Sequence, residues 1–466
     1  MKVALRRLAR LAATAVVVLL GLPVALLIPA AILDQGPSGG VRASLFPMAL
    51  TLWDPFVWAC ARNSLIVAAI VAGVSLPIGV ALARAVGPWR FWGRPPLAAL
   101  AWLPLAMSPA VAAVGLWHLL PPGILDRSHA SGATMPLETP WDVWISWGLL
   151  VWAEIASATV LVALSVKAAL GRIDPAWADM GRALGASPGQ AWRQLVWPIV
   201  RPEVARTSAA VFAIALLDPG APIALGQRRT LPYLMVETVV RGDASTKAAA
   251  LALIGLALAL LGRALIRWWG GPRTDVDPHG VARPAMATWF RAGLSILGLA
   301  AWIAFGLAPL VGLVGIAVGA SPTRADEGWV VALATVVYRL IDADTGRIWR
   351  NSLLLGLATT ALAGLVVLGL ARSPGANRRD RRERPSLWLL AFERTPALVF
   401  GAALGLVPGL LAMAGDGLSI ASLHRLASWL DPVRWPGLLL IAASAAVRLP
   451  TLARAADRAE ARSRPA

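Results

Sequence analysis

Residues 174–202, DPAWADMGRALGASPGQAWRQLVWPIVRP, form a polar, amphipathic segment between two long apolar runs. Asp174 followed by Pro175 predicts an N-cap with a proline at the first helical position, where its missing N–H costs nothing. Four side chains then follow the i, i+3, i+4, i+7 spacing of one helix face: Trp177, Met180, Gly181 and Leu184. Asp179 and Arg182 lie off this face. The segment is therefore predicted to begin with a short, one-sided helix.

A sharp turn and a second helix are predicted to complete the segment. Gly185 can take the left-handed conformation that ends a helix. Ser187, Pro188 and Gln190 match an N-cap, a first-turn proline and a capping-box partner for the next helix. The apolar side of that helix carries Ala191, Trp192, Leu195, Val196 and Ile199. Two later prolines are expected to disturb or end it.

The composition places the chain in a membrane. Hydrophobic residues make up 58% of the 466 positions and charged residues 15%, which is more apolar surface than a soluble chain of this size could bury. The net charge of +18 comes from Lys and Arg in short segments on alternate sides of the apolar spans. This pattern orients membrane spans and does not indicate nucleic-acid binding. One cysteine and four scattered histidines give no disulfide framework and no metal-ligand spacing.

Hydropathy predicts roughly ten membrane spans. The first apolar run, at about 11–33, is long for a cleaved signal peptide, so we expect an uncleaved span with a cytoplasmic N-terminus. The other spans are expected at about 63–85, 96–119, 144–166, 207–225, 248–269, 292–318, 351–370, 387–413 and 435–449. The positive-inside bias then places residues 174–202 on the cytoplasmic side.

The sequence pattern of residues 1–269 begins again after a basic linker at 270–291. The tetrapeptide RNSL at 62–65 recurs at 350–353, and a Thr-Pro pair at 395–396 stands where the first half has Ser-Pro at 108–109. Similar offsets within matching hydropathy indicate duplication. The expected domains are a first transmembrane half at 1–269, a cytoplasmic linker at 270–291 and a second transmembrane half at 292–466.

The spacing of the segment at 174–202 resembles that of a known family. It contains, in order, Asp179, Met180, Gly181, three residues, Gly185, nine residues, Leu195, one residue, Trp197 and Pro198. This is similar to the EAA loop of permease subunits of bacterial ATP-binding-cassette (ABC) importers, whose pattern is EAA, three residues, G, nine residues, I, one residue, LP. The spacing fits throughout, whereas several residue types depart from the pattern, beginning with Asp in place of Glu.

The resemblance implies an all-α, polytopic transmembrane helix bundle of two repeated permease halves with the type I (MetI-like) importer architecture. The fused layout is most similar to the iron(III) and thiamine permeases. In such transporters the EAA segment is a coupling helix that rests in a groove of a cytoplasmic ATPase. The ATPase-coupling residues implied here are Asp174, Trp177, Asp179, Met180, Gly181, Arg182, Leu184, Gly185, Ala186, Ser187, Leu195 and Pro198. An amphipathic helix lying on lipid is the alternative, but lipid binding would not require this fixed spacing.

The resemblance also implies partners. A cytoplasmic ABC ATPase would bind ATP and Mg²⁺, since this chain has no G-x-x-x-x-G-K-[ST] phosphate loop and is expected to carry no cofactor, metal or catalytic site. An extracytoplasmic binding protein would deliver the solute, an inorganic cation or a small organic nutrient. The chain would be a multi-pass protein of the inner membrane, in contact with lipid and not with nucleic acid.

The second half departs from the family pattern. The repeat offset places a second EAA loop at the end of the sequence, where 447–466 resemble the approach to such a loop without the loop itself. We therefore expect a shortened second half that lacks its EAA loop. Three alternatives stay open: a permease that works asymmetrically, a second permease chain that supplies the missing loop, and a truncated, non-transporting membrane protein.

Ionisable residues within spans are candidates for the translocation path, because charge inside a membrane is expensive. They are Glu154, Asp218, Glu393 and Arg394. Structural roles are the alternative: the last two would neutralise each other, and Asp218, followed by Pro and Gly, would mark a helix break. The acidic residues favour a cationic or metal solute. The alternative function is an ion-gradient-driven secondary transporter, with Glu154 and Asp218 as its relay.

Overall fold

The computed structural model describes residues 27–35, 41–86, 89–90, 93–120, 140–170, 183–241, 245–271, 285–286 and 289–319, together with Ile173 and Gly181. Nearly all of these described residues are helical. After a short helix at 27–32, the helices are α1 (Phe46–Trp53), α2 (Pro55–Val86), α3 (Arg94–Trp102), a 3-10 turn (Leu103–Ala106), α4 (Pro109–His118), α5 (Pro140–Leu170), α6 (Pro188–Ala191), a π turn (Trp192–Val196), α7 (Trp197–Leu217), α8 (Gly220–Ala224), α9 (Leu231–Arg241), α10 (Ser245–Gly270) and α11 (Trp289–Gly319).

Among the residues that the structure describes, strand pairing is confined to very short segments. Strand β1 (Leu33–Gln35) pairs with β2 (Val41–Ala43) in antiparallel fashion, and β3 (Trp89–Arg90) pairs with β4 (Ala285–Met286) in parallel. The all-α, polytopic fold is therefore confirmed.

Five of the described helical segments are long and apolar enough to cross a membrane: Pro55–Val86, Trp144–Leu170, Trp192–Ala224, Thr246–Gly270 and Ala292–Gly315. A bent pair of helices makes a sixth if it counts as one span. These segments contain or closely match the predicted spans at 63–85, 144–166, 207–225, 248–269 and 292–318. Most of the first predicted span and the last three predicted spans lie outside the described residues.

The third predicted span, at 96–119, is two helices with a sharp bend between them and not one straight helix. Arg94–Ala106 and Pro109–His118 are bent by 100° at the break between them. The hydroxyl of Ser108 accepts a hydrogen bond from the N–H of Val111 (3.3 Å), so a new helix is capped there. Because Pro109 has no N–H to continue the preceding helix, the Ser-Pro pair restarts the chain in another direction.

Residues 174–202 are called the coupling segment below, after the resemblance. Pro198 and Pro202 were predicted to disturb or end its second helix, and they disturb the helix without ending it. Residues 188–217 form one continuous helical run, with Pro202 inside α7. The predicted disturbance is confirmed by the π turn, which contains Gln194, the residue four positions before Pro198. A proline ring clashes with the carbonyl four residues earlier, and a π turn is a common way to absorb such an irregularity.

The chain divides into two compact units. The first comprises Met1–Ala61, Leu234–Leu258 and Val337–Ala466, and the second comprises Arg62–Tyr233 and Ala259–Val336. All side-chain contacts discussed below lie within the second unit. The predicted division into 1–269, 270–291 and 292–466 follows the sequence repeat and stays a prediction.

Helix α11 packs closely along α4 within the second unit. A Cβ atom added at Gly115 or at Gly312 would collide with the backbone of the facing helix, so small residues allow the two backbones to touch. The indole N–H of Trp152 donates to the carbonyl of Phe305 (3.2 Å), and the two rings stack at 4.9 Å. The helix predicted to open the second half is thus held by helices of the first.

Candidate functional site

The turn in the coupling segment is built around Gly185. Its φ of +81° lies in the left-handed region, which carries a steric cost for residues with a Cβ atom. The N–H of Ala186 donates to the carbonyl of Gly181 (2.9 Å), a bond that closes the end of a helix in the Schellman manner. The predicted helix-ending role of Gly185 is confirmed.

The second helix of the segment begins with the predicted capping box. The N–H of Ser187 donates to Oε1 of Gln190 (2.9 Å), and the N–H of Gln190 donates to Oγ of Ser187 (3.3 Å). These reciprocal bonds satisfy two N–H groups that the helix itself cannot satisfy. Ser187 and Gln190 are three positions apart, so the local sequence was sufficient to predict this capping box.

The described part of the segment exposes apolar side chains. Leu184 is 84% exposed and Leu195 is 36% exposed, while Gly181 is buried and Pro198 is exposed. Exposed leucines beside a capped turn are suited to an apolar groove on a partner protein. The other predicted coupling residues, Asp174, Trp177, Asp179, Met180 and Arg182, lie outside the described residues.

Two arginine–tryptophan stacks hold the second helix of the segment. The guanidinium of Arg84, in the last turn of α2, lies 4.5 Å from the centre of the Trp192 ring. The guanidinium of Arg201, on α7, lies 4.8 Å from the ring of Trp269, near the end of α10. Arg201 also donates from Nη2 to the carbonyl of Trp269. These contacts attach the helical run to the ends of two neighbouring helices.

The two acidic path candidates of the first half lie side by side. Glu154, on α5, is 3% exposed, and its carboxyl interacts with that of Asp218, which directly follows α7. Oδ1 of Asp218 accepts from the N–H of Gly220 (3.2 Å), and its Oδ2 is buried without a hydrogen-bond partner. The predicted helix break at Asp218 is confirmed. Glu393 and Arg394 lie outside the described residues.

The repeated tetrapeptide at 62–65 fixes the start of α9. The side-chain amide of Asn63 donates to the carbonyl of Arg229 (3.0 Å), and the buried Oγ of Ser64 accepts from the N–H of Leu231 (2.9 Å). Both bonds satisfy backbone groups that would otherwise lack a partner where α9 begins. The repeat therefore has a structural reason in the first half.

Comparisons with known proteins align relatives with less than half of the chain. No protein-family model matches the chain. Over 224 residues, 47% of this chain and 95% of the relative, it is 26% identical to the molybdenum transport system permease protein ModB of Escherichia coli K12. It is 26% identical to a probable molybdenum ABC transporter permease protein of Haloferax volcanii over 216 residues, 46% of this chain and 77% of the relative. ModB of Haemophilus influenzae matches at 26% over 199 residues, 42% of this chain and 85% of the relative.

All three relatives are permeases of one class of transporter. The chain is an ABC importer permease subunit. ABC permeases work in general with ATPase and binding-protein partners, and the apolar helices make this permease a multi-pass protein of the inner membrane. The secondary-transporter alternative is not favoured.

Sequence reasoning missed the residues that attach the permease's coupling segment to its spans. Arg84, Arg201 and Trp269 belong to residue types that are abundant at membrane surfaces, so their identity alone does not mark them. Their pairing depends on which helix ends lie next to one another, and a single sequence does not contain that information. The available signal was weak: an Arg stands in the last turn of α2 and a Trp stands near the end of α10.

Proposed function

We propose that this permease imports a solute delivered by an extracytoplasmic binding protein, and that a separate cytoplasmic ATPase drives it through the segment at 174–202. The observation that supports the proposal most is the capped turn at Gly185 and Ser187, next to which the side chains of Leu184 and Leu195 are exposed. A segment that only joined two spans would not need exposed leucines on a rigid turn. ATP and Mg²⁺ would be bound by the ATPase.

The proposed architecture is the type I importer arrangement of two fused halves. Each of the three relatives aligns over most of its own length but less than half of this chain, as expected if one relative corresponds to one half. The close packing of α11 on α4 supports the same interpretation, because the first helix of one half then lies against the other half. The N-terminus is placed in the cytoplasm by its positive charges.

The relatives' names favour molybdenum as the first solute to test. In neutral water molybdenum is present as an oxyanion, which a path lined by ionised carboxylates would repel. The fused layout instead favours iron(III) or thiamine, which are cationic and suit the interacting carboxyls of Glu154 and Asp218. Both are import functions of the same permease, and only the solute differs.

The proposal is tested with the permease, its ATPase and its binding protein reconstituted in vesicles. We expect ATP-dependent uptake of one solute among labelled molybdate, iron(III) and thiamine. Uptake that needs no ATPase and collapses with an ionophore would contradict the proposal, and so would the absence of uptake for a panel of solutes bound by the binding protein.

The contact with the ATPase is tested separately by copurification. Leu184→Ala removes an almost fully exposed side chain, so it should weaken binding of the ATPase without affecting the fold. Gln194→Ala removes an exposed polar side chain of the same segment and is the matched control. Equal recovery of the ATPase with both variants would exclude Leu184 from the contact.

A further inference from the structure

The coupling segment is attached to the helix α2 by a stack at the start of the π turn. Trp192 is the first residue of that turn, and the guanidinium of Arg84 lies over its ring at 4.5 Å. A guanidinium stacked on an indole is oriented by the flat faces of both groups as well as attracted by charge. The contact therefore restricts the direction in which Trp192 can move.

A second attachment joins α7 to the end of α10, beyond the π turn. Arg201 stacks on the ring of Trp269 and also donates a hydrogen bond to its carbonyl. The ring of Trp197, the first residue of α7, meets the same indole edge to face, with centroids 6.4 Å apart. Three contacts thus converge on Trp269.

We infer that Arg84 and Arg201 are positioning residues that fasten the coupling segment to the ends of α2 and α10. The first stack holds the π turn at its first residue, Trp192, and the second holds α7 at Arg201, five residues beyond the turn. At this turn the helical run departs from α-helical geometry and would otherwise bend most easily. With both in place, a displacement of the segment moves α2, α7 and α10 together. This role rests on the proposed function, because the displacement is the one that the ATPase would cause.

The chain offers a matched control for the chemistry of these contacts. The ammonium group of Lys167, on α5, lies 5.3 Å from the centre of the Trp102 ring, and neither residue belongs to the described coupling segment. Loss of this pair removes a cation–π contact of the same kind between two spans. It should not loosen the segment.

The first experiment measures solute imported per ATP hydrolysed by the reconstituted importer. Arg84→Met and Arg201→Met should each lower this ratio by roughly 2–30-fold, the range for residues along a coupling network, while ATP hydrolysis persists. The conservative variants Arg84→Lys and Arg201→Lys should restore part of the ratio, and Lys167→Met should leave it unchanged. Wild-type ratios in both methionine variants would overturn the inference, whereas a wild-type protein that imports nothing would instead contradict the proposed function.

The second experiment needs no transport. Spin labels at exposed positions on the segment and on α10, introduced as Gln194→Cys and Leu265→Cys in a Cys60→Ala background, report the distance between them in the purified full chain. The distance distribution should broaden with Arg201→Met and keep its width with Lys167→Met. An unchanged width with Arg201→Met, in protein that still elutes as a folded species, would overturn the attachment to α10.

Discussion

Replacing Gly185 by alanine should loosen the coupling turn by an amount that follows from its backbone. Its φ of +81° is left-handed, and such a conformation costs a residue with a Cβ atom about 1–2 kcal/mol. A side chain at this position would meet no atom within 4 Å, so no collision adds to that cost. Because each 1.4 kcal/mol is a factor of ten, the open form of the turn should become roughly 5–30 times more populated.

Hydrogen exchange measures this opening directly. The N–H of Ala186 is held by the carbonyl of Gly181 and becomes free to exchange when the turn opens. We expect its exchange to accelerate by roughly the same 5–30-fold factor in Gly185→Ala. Gly185→Asn should fall between wild type and alanine, since asparagine tolerates the left-handed region better.

The control is a second glycine of the same segment. Gly189 lies in α6 without a positive φ, and a side chain there would also meet nothing within 4 Å. Gly189→Ala should therefore stabilise the helix slightly, by up to about 1 kcal/mol. If Gly185→Ala exchanged at the rate of Gly189→Ala, the left-handed turn would not be what holds the segment. If Gly185→Ala opened as expected but imported normally, the turn would hold the segment without serving coupling.

Three further changes test other parts of the structure. Ser64→Ala leaves a buried N–H at the start of α9 without an acceptor and should cost about 1–3 kcal/mol, seen as a lower thermal midpoint in detergent; an unchanged midpoint would contradict it. Glu154→Gln removes one of two interacting carboxyls at constant size and should reduce import without loss of the folded complex; full import would exclude its pair with Asp218 from the path. Gly312→Ala drives a methyl group into the backbone of α4 and should cost about 1–3 kcal/mol, whereas Gly315→Ala in the same helix meets no neighbour within 4 Å and should be nearly neutral.

Local turn chemistry was predictable because its causes are adjacent in the sequence. The left-handed Gly185 and the exchange of hydrogen bonds between Ser187 and Gln190 involve residues a few positions apart. Hydropathy also placed the described spans, because the composition of a window decides whether it can enter a bilayer.

The direction of the helix axes and the pairing of side chains that are distant in sequence could not be predicted in the same way. Hydropathy adds the residues on both sides of Pro109 into one span and does not register that the axis turns by 100° between them. Glu154 and Asp218 were each recognisable as charges within spans, but their proximity depends on the packing of α5 against α7. The stack of Arg84 on Trp192 depends likewise on which helix ends are neighbours.

The continuous helical run at 188–217 connects the two parts of the candidate site. At about 1.5 Å per residue it is roughly 45 Å long, with the capping box of Ser187 at one end and Asp218 directly after the other. A helix is stiff along its axis, so a push at the turn reaches Asp218 unless the run bends on the way. Within the described residues it departs from α-helical geometry at the π turn. The stack of Arg84 holds the first residue of that turn, and the stack of Arg201 lies five residues beyond its end. One attachment at the start of the π turn and one beyond it are what this helical run needs to deliver a displacement to the buried carboxyls.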